Sequence, residues 1–314
     1  MTVLVTGANG FVGVAFCAYA LSKGFVVQGA TRHVVALPGI GDSIGVGSIG
    51  ENTNWHSALL GRSHVVHLAA RVHVMKDVAT DPLIEFRRVN VEGTLNLARQ
   101  AAKMGVRRFV FVSSIKVNGE ATKPGSFYTS HDSPAPEDEY SISKAEAEVG
   151  LQQLAQDTGM EVVIIRSPLV YGPGAKGNVS RLINWVARGF PLPLGAVTNN
   201  RRSFVALDNL VDLILTCLVH DKAANQTFLV SDCDDLSTAE LLRKIGKALN
   251  KPTRLFPVPV VLLNIVASLL NKKAVAQRLL GSLQVDISKT IELLDWKPTI
   301  SVDEGLNKAV EQRV

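Results

Sequence analysis

The sequence predicts an α/β protein with a doubly wound parallel sheet and a smaller, mainly helical C-terminal lobe. Three observations carry this prediction. In the first half of the chain, short β-branched runs alternate with helical stretches, a pattern typical of βαβ units. A glycine-rich turn follows the first of these runs. After Arg166 the alternation weakens, prolines interrupt the pattern, and mainly helical segments follow.

The predicted elements follow one another in a regular order. Strands are expected at residues 3–6, 26–30, 65–68, 109–113 and 162–166. Helices are expected between them at residues 11–23, 86–104 and 141–158. The change of pattern after the last of these strands predicts a boundary between two lobes near residue 166.

The composition is that of a folded protein with a substantial core. The chain has 314 residues, of which 46% are hydrophobic and 19% charged, and this excludes a disordered tail protein. The 33 basic residues exceed the 28 acidic ones by five, but no run of five or six like charges occurs, so we expect no nucleic-acid partner. The three scattered cysteines favour neither a disulfide framework nor a metal site and are typical of a reducing cytoplasm.

One uncharged apolar stretch, residues 255–271, raises the question of membrane contact. Two prolines, Asn264 and Ser268 interrupt it, and it is shorter than the roughly 20 apolar residues of a spanning helix. The start of the chain has no signal-peptide pattern. We therefore expect a cytoplasmic protein without a transmembrane segment. The stretch is expected to form a buried or surface-docked helix, with weak peripheral membrane contact as the alternative.

The N-terminal motif predicts a dinucleotide site. The strand at residues 3–6 runs into Gly7, Gly10 and Gly13, and a helix begins at once. Gly7 permits a tight turn, Gly10 lets the backbone approach a pyrophosphate, and Gly13 allows close packing of helix on strand. The helix N-terminus offers free N–H groups and a positive dipole end to the phosphates. After a strand and before a βαβ pattern, this spacing is typical of a Rossmann-type domain.

The end of the second strand bears on which dinucleotide binds. NAD-specific sites carry an acidic residue there, which hydrogen-bonds the adenosine ribose. This chain has Thr31 and Arg32 instead. A guanidinium at this place can pair with a 2′-phosphate and stack on adenine, whereas the alternative is a solvated surface arginine. We expect NADP(H) as the cofactor, with NAD(H) as the alternative.

Two further motifs predict the chemistry. Tyr140 and Lys144 lie four residues apart in a helical stretch and share one face, although this spacing also occurs in ordinary amphipathic helices. A free tyrosine has a pKa of about 10, and a nearby cation together with a nicotinamide charge lowers it, so that the phenolate can exchange a proton. Upstream, Ser113 and Ser114 end a strand at the sheet edge where such folds bind ligands. In this order the motifs predict an oxidoreductase site.

With these motifs the sequence resembles the extended short-chain dehydrogenase/reductase family, in its nucleotide-sugar epimerase/dehydratase branch. The resemblance covers nearly the whole chain. It also includes His67-Leu68-Ala69-Ala70, Asn90-Val91-Glu92-Gly93-Thr94, Val170-Tyr171-Gly172-Pro173, Arg202-Ser203-Phe204-Val205 and Asp295-Trp296-Lys297-Pro298. It implies an NAD(P)-binding domain at residues 1–166, completed by parts of 203–230, and a nucleotide-sugar lobe at 167–314.

The resemblance also implies roles for individual residues. It makes Ser114, Tyr140 and Lys144 the catalytic triad. The cofactor contacts that it implies are Gly7, Gly10, Phe11, Val12, Gly13, Thr31, Arg32, Leu68, Ala69, Ala70, Asn90, Ser113, Tyr140, Lys144 and Pro168. The contacts to a UDP-sugar substrate are Ser114, Asn178, Arg202 and Arg278, of which the two arginines are expected to clamp the diphosphate.

Two departures from the family pattern bear on the implied reaction. Ser114 is followed by Ile115 and Lys116, where 4,6-dehydratases of this branch carry an Asp-Glu pair, and Thr31 replaces the aspartate of NAD-dependent 4-epimerases. They favour a 4-ketoreductase of a UDP-4-keto-6-deoxy-hexosamine in bacterial O-antigen precursor synthesis. A UDP-glucose or UDP-N-acetylglucosamine 4-epimerase is the alternative, and a non-catalytic NADP(H)-sensing protein is a distant one. The oligomeric state stays open, with a homodimer through paired helices as one outcome.

Overall fold

The computed structural model describes residues 1–72, 81–175 and 177–311. The strands are β1 (Thr2–Thr6), β2 (Val26–Thr31), β3 (Ala36–Leu37), β4 (Gly41–Asp42), β5 (Ile44–Gly45), β6 (His64–His67), β7 (Arg108–Ser114), β8 (Glu161–Ser167), β9 (Leu169–Tyr171), β10 (Phe204–Ala206) and β11 (Thr227–Leu229). The α-helices are α1 (Phe11–Ser22), α2 (His56–Leu59), α3 (Pro82–Arg87), α4 (Gly93–Lys103), α5 (Glu139–Thr158), α6 (Asn178–Ala187), α7 (Leu207–Val219), α8 (Thr238–Ala248), α9 (Val260–Leu269), α10 (Lys273–Leu280), α11 (Ser288–Leu294) and α12 (Val302–Glu311).

A parallel sheet forms the centre of the fold, and the predicted doubly wound α/β architecture is confirmed. In the described part of the chain seven strands pair in the order β11-β8-β7-β6-β1-β2-β5. All these pairs are parallel, so the strands end at one common edge. Thr6 lies in register with His67, and Ser114 with Ser167. The predicted glycine turn and strand-end serines therefore share this edge.

The alternation of side chains along β1 explains the two helical layers. Val3 and Val5 pack with Phe16 of α1 and with buried residues of α7. Leu4 points the opposite way and packs with Leu97 of α4 and with buried residues of α5. All three β1 side chains are completely buried. Burial on both faces is why the strands read as continuous apolar runs.

The helix predicted at residues 86–104 is three elements in the structure. Asp81 caps α3 through the N–H groups of Leu83 and Ile84, and Pro82 occupies its first position, so the helix begins earlier than predicted. A π-helical turn, Arg88–Glu92, then joins α3 to α4. Such a turn widens the helix locally and is frequent at functional sites. Here it contains the buried Asn90.

The C-terminal part of the chain packs around a core of its own. Tyr171, Leu182, Leu242 and Leu306 are among the buried residues of this cluster. The short parallel pair of β9 and β10 lies beside it. By contrast, β11 pairs with β8 and extends the main sheet. The division into lobes at residues 1–166 and 167–314 stays a prediction.

The apolar stretch at residues 255–271 lies on the surface. It contains α9, none of whose residues is buried. Of the two predicted positions for this helix, the surface position is therefore the observed one. No helix among the described residues is long and apolar enough to cross a membrane.

Candidate active site

The turn after β1 depends on its glycines. Gly7 has a φ of +64°, in the left-handed region that favours glycine. A Cβ at Gly13 would collide with the carbonyl oxygen of Gly7. The Gly10 N–H donates to the same oxygen at 2.8 Å, and a Cβ at Gly10 would lie only 3.0 Å from it. Glycine at these positions therefore allows α1 to pack closely against the end of β1.

The N-terminus of α1 is free of side-chain caps. Gly10 occupies the N-cap, no side chain accepts from the first N–H groups, and the first turn has no acidic residue. Phe11 and Val12 form this turn and are half-buried. Uncapped N–H groups at the positive end of a helix dipole are suited to a phosphate. The glycine turn and this helix end together fit the diphosphate of a dinucleotide.

A buried hydrogen-bond network joins the ends of β1 and β6. The Thr6 hydroxyl accepts hydrogen bonds from the N–H groups of Leu68 and Ala69, both at 3.2 Å. Its own proton is therefore donated to His67 Nδ1 at 2.7 Å, which leaves His67 Nε2 to donate to Thr94 at 3.0 Å. Burial lowers the pKa of His67 to about 3, so the ring is neutral near pH 7. The network fixes the backbone that follows β6.

The segment after β6 passes against the glycine turn. A Cβ at Gly7 would lie 2.9 Å from the backbone nitrogen of Ala69. Asn90 holds the end of this segment, because its Oδ1 accepts from the Arg71 N–H at 2.8 Å and its Nδ2 donates to the Arg71 carbonyl at 3.0 Å. The Asn90 amide also donates to Ser143 of α5. It therefore positions the predicted cofactor segment, Leu68 to Ala70, and its own polar atoms are already paired.

The end of β2 contains Thr31 and Arg32, on which the cofactor prediction rests. Thr31 is buried, and its hydroxyl lies 2.6 Å from the His33 carbonyl oxygen and 2.5 Å from the Ser43 hydroxyl. It therefore orders the loop after β2. Arg32 is exposed, and within the described chain its side chain makes no ion pair or hydrogen bond. Of the two predicted contacts, Arg32 is the one whose side chain is available to a ligand.

The two serines that end β7 have different surroundings. The buried Ser113 hydroxyl donates to Glu148 of α5, so a contact of Ser113 with a cofactor is left to its backbone. Ser114 is half-buried, and its oxygen accepts from the Lys116 N–H at 3.3 Å. The Ser114 O–H is therefore able to donate. The predicted contact of Ser114 with the substrate stays a prediction.

Tyr140 lies in the first turn of α5. Asp138 caps this helix in a capping box with Ser141, and the Tyr140 ring packs edge-on against Phe86 with ring centres 6.2 Å apart. Burial, followed by the charge of Asp138, raises the pKa of Tyr140 to about 12. The phenol is therefore protonated near pH 7, which suits it to donate a proton.

Lys144 is buried one turn further along α5. Its ammonium donates to the carbonyl oxygen of Val112 at 2.8 Å and lies 3.8 Å from the centre of the Phe111 ring. Burial lowers the pKa of Lys144 to about 7, although Glu148 opposes this effect. The expected lowering of the Tyr140 pKa by Lys144 is not observed, because burial dominates the pKa values of both groups. The hydrogen bond to β7 nevertheless brings the dyad to the strand end beside Ser114.

A charged cluster that was not predicted from the sequence lies at this edge. Lys116 pairs with Glu120 at 2.5 Å and with Asp138 at 2.6 Å. Burial alone would raise the pKa of Asp138, but its hydrogen bonds from Lys116 and Ser141 outweigh burial and lower it. The cluster ties the loop after Ser114 to the start of α5. The i, i+4 spacing of Lys116 and Glu120 could have indicated their ion pair. Asp138 is 22 residues from Lys116, and no sequence pattern connects the two.

The predicted arginines meet this cluster from the C-terminal part. Burial lowers the pKa of Arg202 to about 10; Glu120 opposes the shift and Arg278 adds to it, so the three charges lie within electrostatic reach of one another. Arg202 also donates to the Gly281 carbonyl at 3.3 Å. Arg278 is exposed on α10. The structure thus brings the two predicted diphosphate contacts together.

The remaining predicted contacts lie on neighbouring elements. Pro168 is buried between β8 and β9, directly after Ser167, which pairs with Ser114. Asn178 is half-buried at the first position of α6. Within the described chain no hydrogen bond connects Asn178 to either arginine. Its proposed part in substrate binding is therefore supported only by its place in the sequence.

A short extended segment connects the two sides of the site. The Thr122 N–H donates to the Ser282 carbonyl and the Tyr128 N–H to the Gln284 carbonyl, both at 2.9 Å. On its other side, the segment's Leu283 carbonyl accepts from the Ser203 N–H at 2.9 Å. Residues 282–285 therefore lie between the loop after β7 and the strand-like stretch that carries Arg202. Sequence reasoning did not single out this segment.

The family follows from a comparison with family models. Residues 3–231 match the model of the NAD dependent epimerase/dehydratase family. The chain belongs to this family. The predicted nucleotide-sugar branch is thereby confirmed, and the chain is an enzyme of the nucleotide-sugar epimerase/dehydratase type.

Individual relatives agree with this placement. The chain is 48% identical over 311 residues to the UDP-glucose 4-epimerase of Vibrio cholerae, an alignment that covers 99% of this chain and 94% of that one. It is 29% identical over 265 residues, 83% of this chain and 77% of the relative, to the N-acetyl-alpha-D-glucosaminyl-diphospho-ditrans,octacis-undecaprenol 4-epimerase of Escherichia coli O157:H7. Its fold matches the UDP-N-acetylglucosamine 4-epimerase of Bacillus cereus over 100% of both chains, with a TM-score of 0.80 and 21% identity.

The close packing at Gly13 predicts the effect of a single methyl group. Gly13→Ala should weaken NAD(P)(H) binding about tenfold or more, because its Cβ would displace the backbone that receives the diphosphate. Calorimetric titration with each dinucleotide measures the effect. Gly50→Ala is the matched control, since a Cβ there meets no atom within 4 Å. Equal affinities for the two variants would contradict the assignment of this turn.

The burial of Lys144 predicts a gain in stability when its charge is removed. Its pKa is about 7 in the folded chain and about 10.4 in an unfolded one. The folded state therefore binds fewer protons between these values, and wild-type stability rises with pH across this window. Lys144→Met should be more stable at pH 7 by about 1–4 kcal/mol, after the loss of one hydrogen bond, and this gain should vanish near pH 10.

Urea unfolding at pH 7 and pH 10 measures this difference. Lys103→Met is the control, because Lys103 is exposed at the end of α4 and its substitution should change stability little at either pH. If Lys144→Met is less stable than the wild type at pH 7, burial of the Lys144 ammonium does not destabilise the fold and the prediction is wrong.

Proposed function

We propose that this enzyme is a UDP-hexose 4-epimerase, which inverts the configuration at carbon 4 of UDP-glucose or UDP-N-acetylglucosamine through a transient 4-ketone. The observation that carries the proposal is the 48% identity to a UDP-glucose 4-epimerase over nearly the whole of both chains. This identity favours the 4-epimerase, which was the alternative prediction, over the 4-ketoreductase. Tyr140, Lys144 and Ser114 at the sheet edge are suited to this reaction.

Tyr140 is the side chain that moves the proton of the 4-hydroxyl. Its phenol is protonated near pH 7, which serves the step in which the sugar oxygen takes up a proton. The reverse step needs a lower Tyr140 pKa, and this requires positive charge near the phenol oxygen. Lys144, one turn away and with a pKa of about 7, provides this charge when it is protonated. Ser114 donates to the same sugar oxygen and stabilises its negative charge.

The residues that would hold the dinucleotide are those of the glycine turn and its surroundings. Gly7, Gly10 and the first turn of α1 receive the diphosphate, and the backbone of Leu68 to Ala70 lines its path. When bound, the nicotinamide supplies a reversible acceptor for the hydrogen at carbon 4. Arg32 is placed to contact the adenosine end.

The substrate diphosphate is bound by arginines from the C-terminal part. The backbone of Arg202 pairs with that of Leu236, and its guanidinium donates to the Gly281 carbonyl at 3.3 Å. Arg278 lies within its electrostatic reach. Two neighbouring cations repel each other, and a diphosphate between them removes that repulsion. In the absence of a diphosphate, Glu120 opposes the effect of burial on the pKa of Arg202.

One observation favours a second candidate, an NADPH-dependent 4-ketoreductase of a UDP-4-keto-sugar. No acidic residue follows β2, the Thr31 hydroxyl is engaged within the loop, and Arg32 is exposed and available to a 2′-phosphate. These features support NADP(H), with NAD(H) as the alternative cofactor. A reductase consumes one NADPH in each turnover, whereas an epimerase has no net redox change.

A turnover assay without added cofactor tests the proposal. The purified enzyme should convert UDP-glucose or UDP-N-acetylglucosamine into its 4-epimer, followed by nuclear magnetic resonance. Tyr140→Phe should lower turnover about 10²–10⁴-fold, the share of a general acid, while UDP binding persists. Tyr19→Phe is the control, because the Tyr19 hydroxyl bonds Asp212 between α1 and α7. Unchanged turnover in Tyr140→Phe, or activity only with NADPH and a 4-keto-sugar, would sink the epimerase proposal.

A lysine at position 202 should bind the UDP-sugar more weakly than Arg202, although it keeps the positive charge. Arg202→Lys should raise the KM for the UDP-sugar about tenfold or more and leave kcat within a few-fold, because lysine lacks the planar fork for phosphate. Steady-state kinetics of the purified variants measure this split. Arg201→Lys is the matched control, since Arg201 is paired with Glu240 at 2.9 Å. Equal KM values for both variants would contradict the diphosphate assignment.

A further inference from the structure

The surface helix α9 is apolar except along one edge, where Asn264 and Ser268 lie one turn apart. Its sequence consists of apolar residues apart from Asn264 and Ser268, and none of its ten residues is buried. Val261 is 71% exposed, Leu269 80% and Leu270 just beyond the helix 65%. A helix of this composition is normally buried in a core or placed in a lipid environment. Exposed apolar area of this extent usually marks an interaction site.

Neighbouring elements extend this face into one continuous surface. Trp185 and Phe190, at the end of α6, are exposed, and so is Val275 of α10. Together with Leu263 and Ala267 on the inner side of α9, these side chains line a cavity of about 430 Å³. We call α9, Leu270, Val275, Trp185 and Phe190 the apolar platform.

The positive charge of the protein is concentrated in the segment of the sequence that includes α9 and α10. Residues 241–285, which include α9 and α10, contain eight basic residues and no acidic one. They are Arg243, Lys244, Lys247, Lys251, Arg254, Lys272, Lys273 and Arg278. The rest of the chain holds 25 basic and 28 acidic residues, so its net charge is −3. The whole positive excess of the protein therefore lies in this segment.

The cations nearest to α9 are open to solvent. Lys272 and Lys273 lie three and four residues beyond the end of α9 and are exposed. Lys272 also lines the cavity of the platform. Lys244 and Lys247, in contrast, pair with Asp303 on the side of α12. The platform thus combines an exposed apolar helix with unneutralised lysines at its end.

We propose that the apolar platform docks on the surface of an anionic lipid bilayer, with α9 lying in the plane of the interface. Apolar side chains that enter the acyl boundary and basic side chains that stay among the headgroups are the two attractions that hold interfacial helices. Trp185 belongs to the residue type enriched at this level of a bilayer. The uncharged helix and its flanking lysines match both layers of such a surface.

The same charges disfavour the platform as a contact between two copies of the chain. A twofold interface through the platform would bring the exposed Lys272 and Lys273 of one copy close to those of the other. Like charges in contact oppose association, whereas an anionic leaflet attracts them. Charge complementarity therefore selects the bilayer as the occupant.

Docking would place the substrate lobe next to the membrane. Arg278 lies on α10, which also carries Val275 of the platform, and it lowers the pKa of Arg202. The platform and the candidate diphosphate site therefore share α10. This position suits an enzyme whose product is used by a membrane-bound transferase, since the product is released close to that surface.

Vesicle sedimentation of the full-length enzyme tests the proposal. The enzyme should pellet with vesicles of equal parts phosphatidylcholine and phosphatidylglycerol, should remain soluble with phosphatidylcholine alone, and should be released by high salt. The double variant Val261→Glu/Leu269→Glu should lose most of this binding. Lys272→Gln/Lys273→Gln should weaken it about 25-fold, at about fivefold for each basic residue near an anionic leaflet.

Matched controls separate docking from misfolding. Leu60→Glu replaces a leucine of similar exposure, 63%, at the end of α2. Lys103→Gln/Lys222→Gln removes two exposed lysines elsewhere. Both controls should pellet like the wild type, and all variants should keep the far-UV circular dichroism and the dinucleotide affinity of the wild type.

Three results would overturn the proposal. The first is a wild-type enzyme that does not pellet with the anionic vesicles, and the second is a Val261→Glu/Leu269→Glu protein that pellets as well as Leu60→Glu. The third is a platform variant that changes the mass in light scattering from dimer to monomer while neither it nor the wild type binds vesicles. That result would assign the platform to a second copy of the chain.

Discussion

The arrangement of the site depends on one buried ion pair, between Glu148 of α5 and Arg166 of β8. The two side chains are 3% and 6% exposed and 2.6 Å apart. Glu148 also accepts from Ser113 at the end of β7, and Arg166 donates to Asn118 in the loop beyond it. This ion pair thus holds α5, which carries Tyr140 and Lys144, against β7, β8 and the loop after β7. Removal of either partner leaves an unpaired buried charge, which costs about 3–5 kcal/mol.

This constraint explains how the protein retains a buried Lys144. Its ammonium has lost water and receives in exchange one carbonyl oxygen and the face of Phe111. The neighbouring pair holds α5 in register, so the lysine cannot move outwards to solvent without breaking other bonds of the helix. The buried ammonium of Lys144 destabilises the folded state, and the ion pair and hydrogen bonds of Glu148 stabilise it. Such an exchange is common where a group must be held at an altered pKa.

Much of the fold was predictable because local patterns determine it. The strand ends and the glycine turn follow from apolar runs and from backbone geometry that residues such as Gly7 and Gly13 alone satisfy. The division of the second predicted helix at Asn90 was not predictable, because its π-helical turn depends on tertiary contacts with the segment after β6. The order of the three catalytic motifs predicted the sheet edge at which they meet, since parallel strands end together.

The polar partners within the site were less predictable. Thr31 and Ser113 have residue types that suit cofactor contacts, yet both hydroxyls are used by the protein itself. The cluster of Lys116, Glu120 and Asp138 joins residues up to 22 positions apart through a loop without periodic pattern. Sequence patterns report which face of an element is buried, but they do not report which neighbour a polar atom selects on that face.

The net charge of the chain and the positions of its charged residues carry different information. A surplus of five positive charges is unremarkable for a chain of this size and by itself predicts no partner. Its position is informative, because a segment of 45 residues carries eight basic residues while the remainder is slightly acidic. Arg278, one of the eight, lowers the pKa of Arg202, whereas Lys272 and Lys273 are exposed beyond the end of α9. Under the two proposals, this single basic segment binds two kinds of anion: the diphosphate of a substrate and the headgroups of a lipid layer.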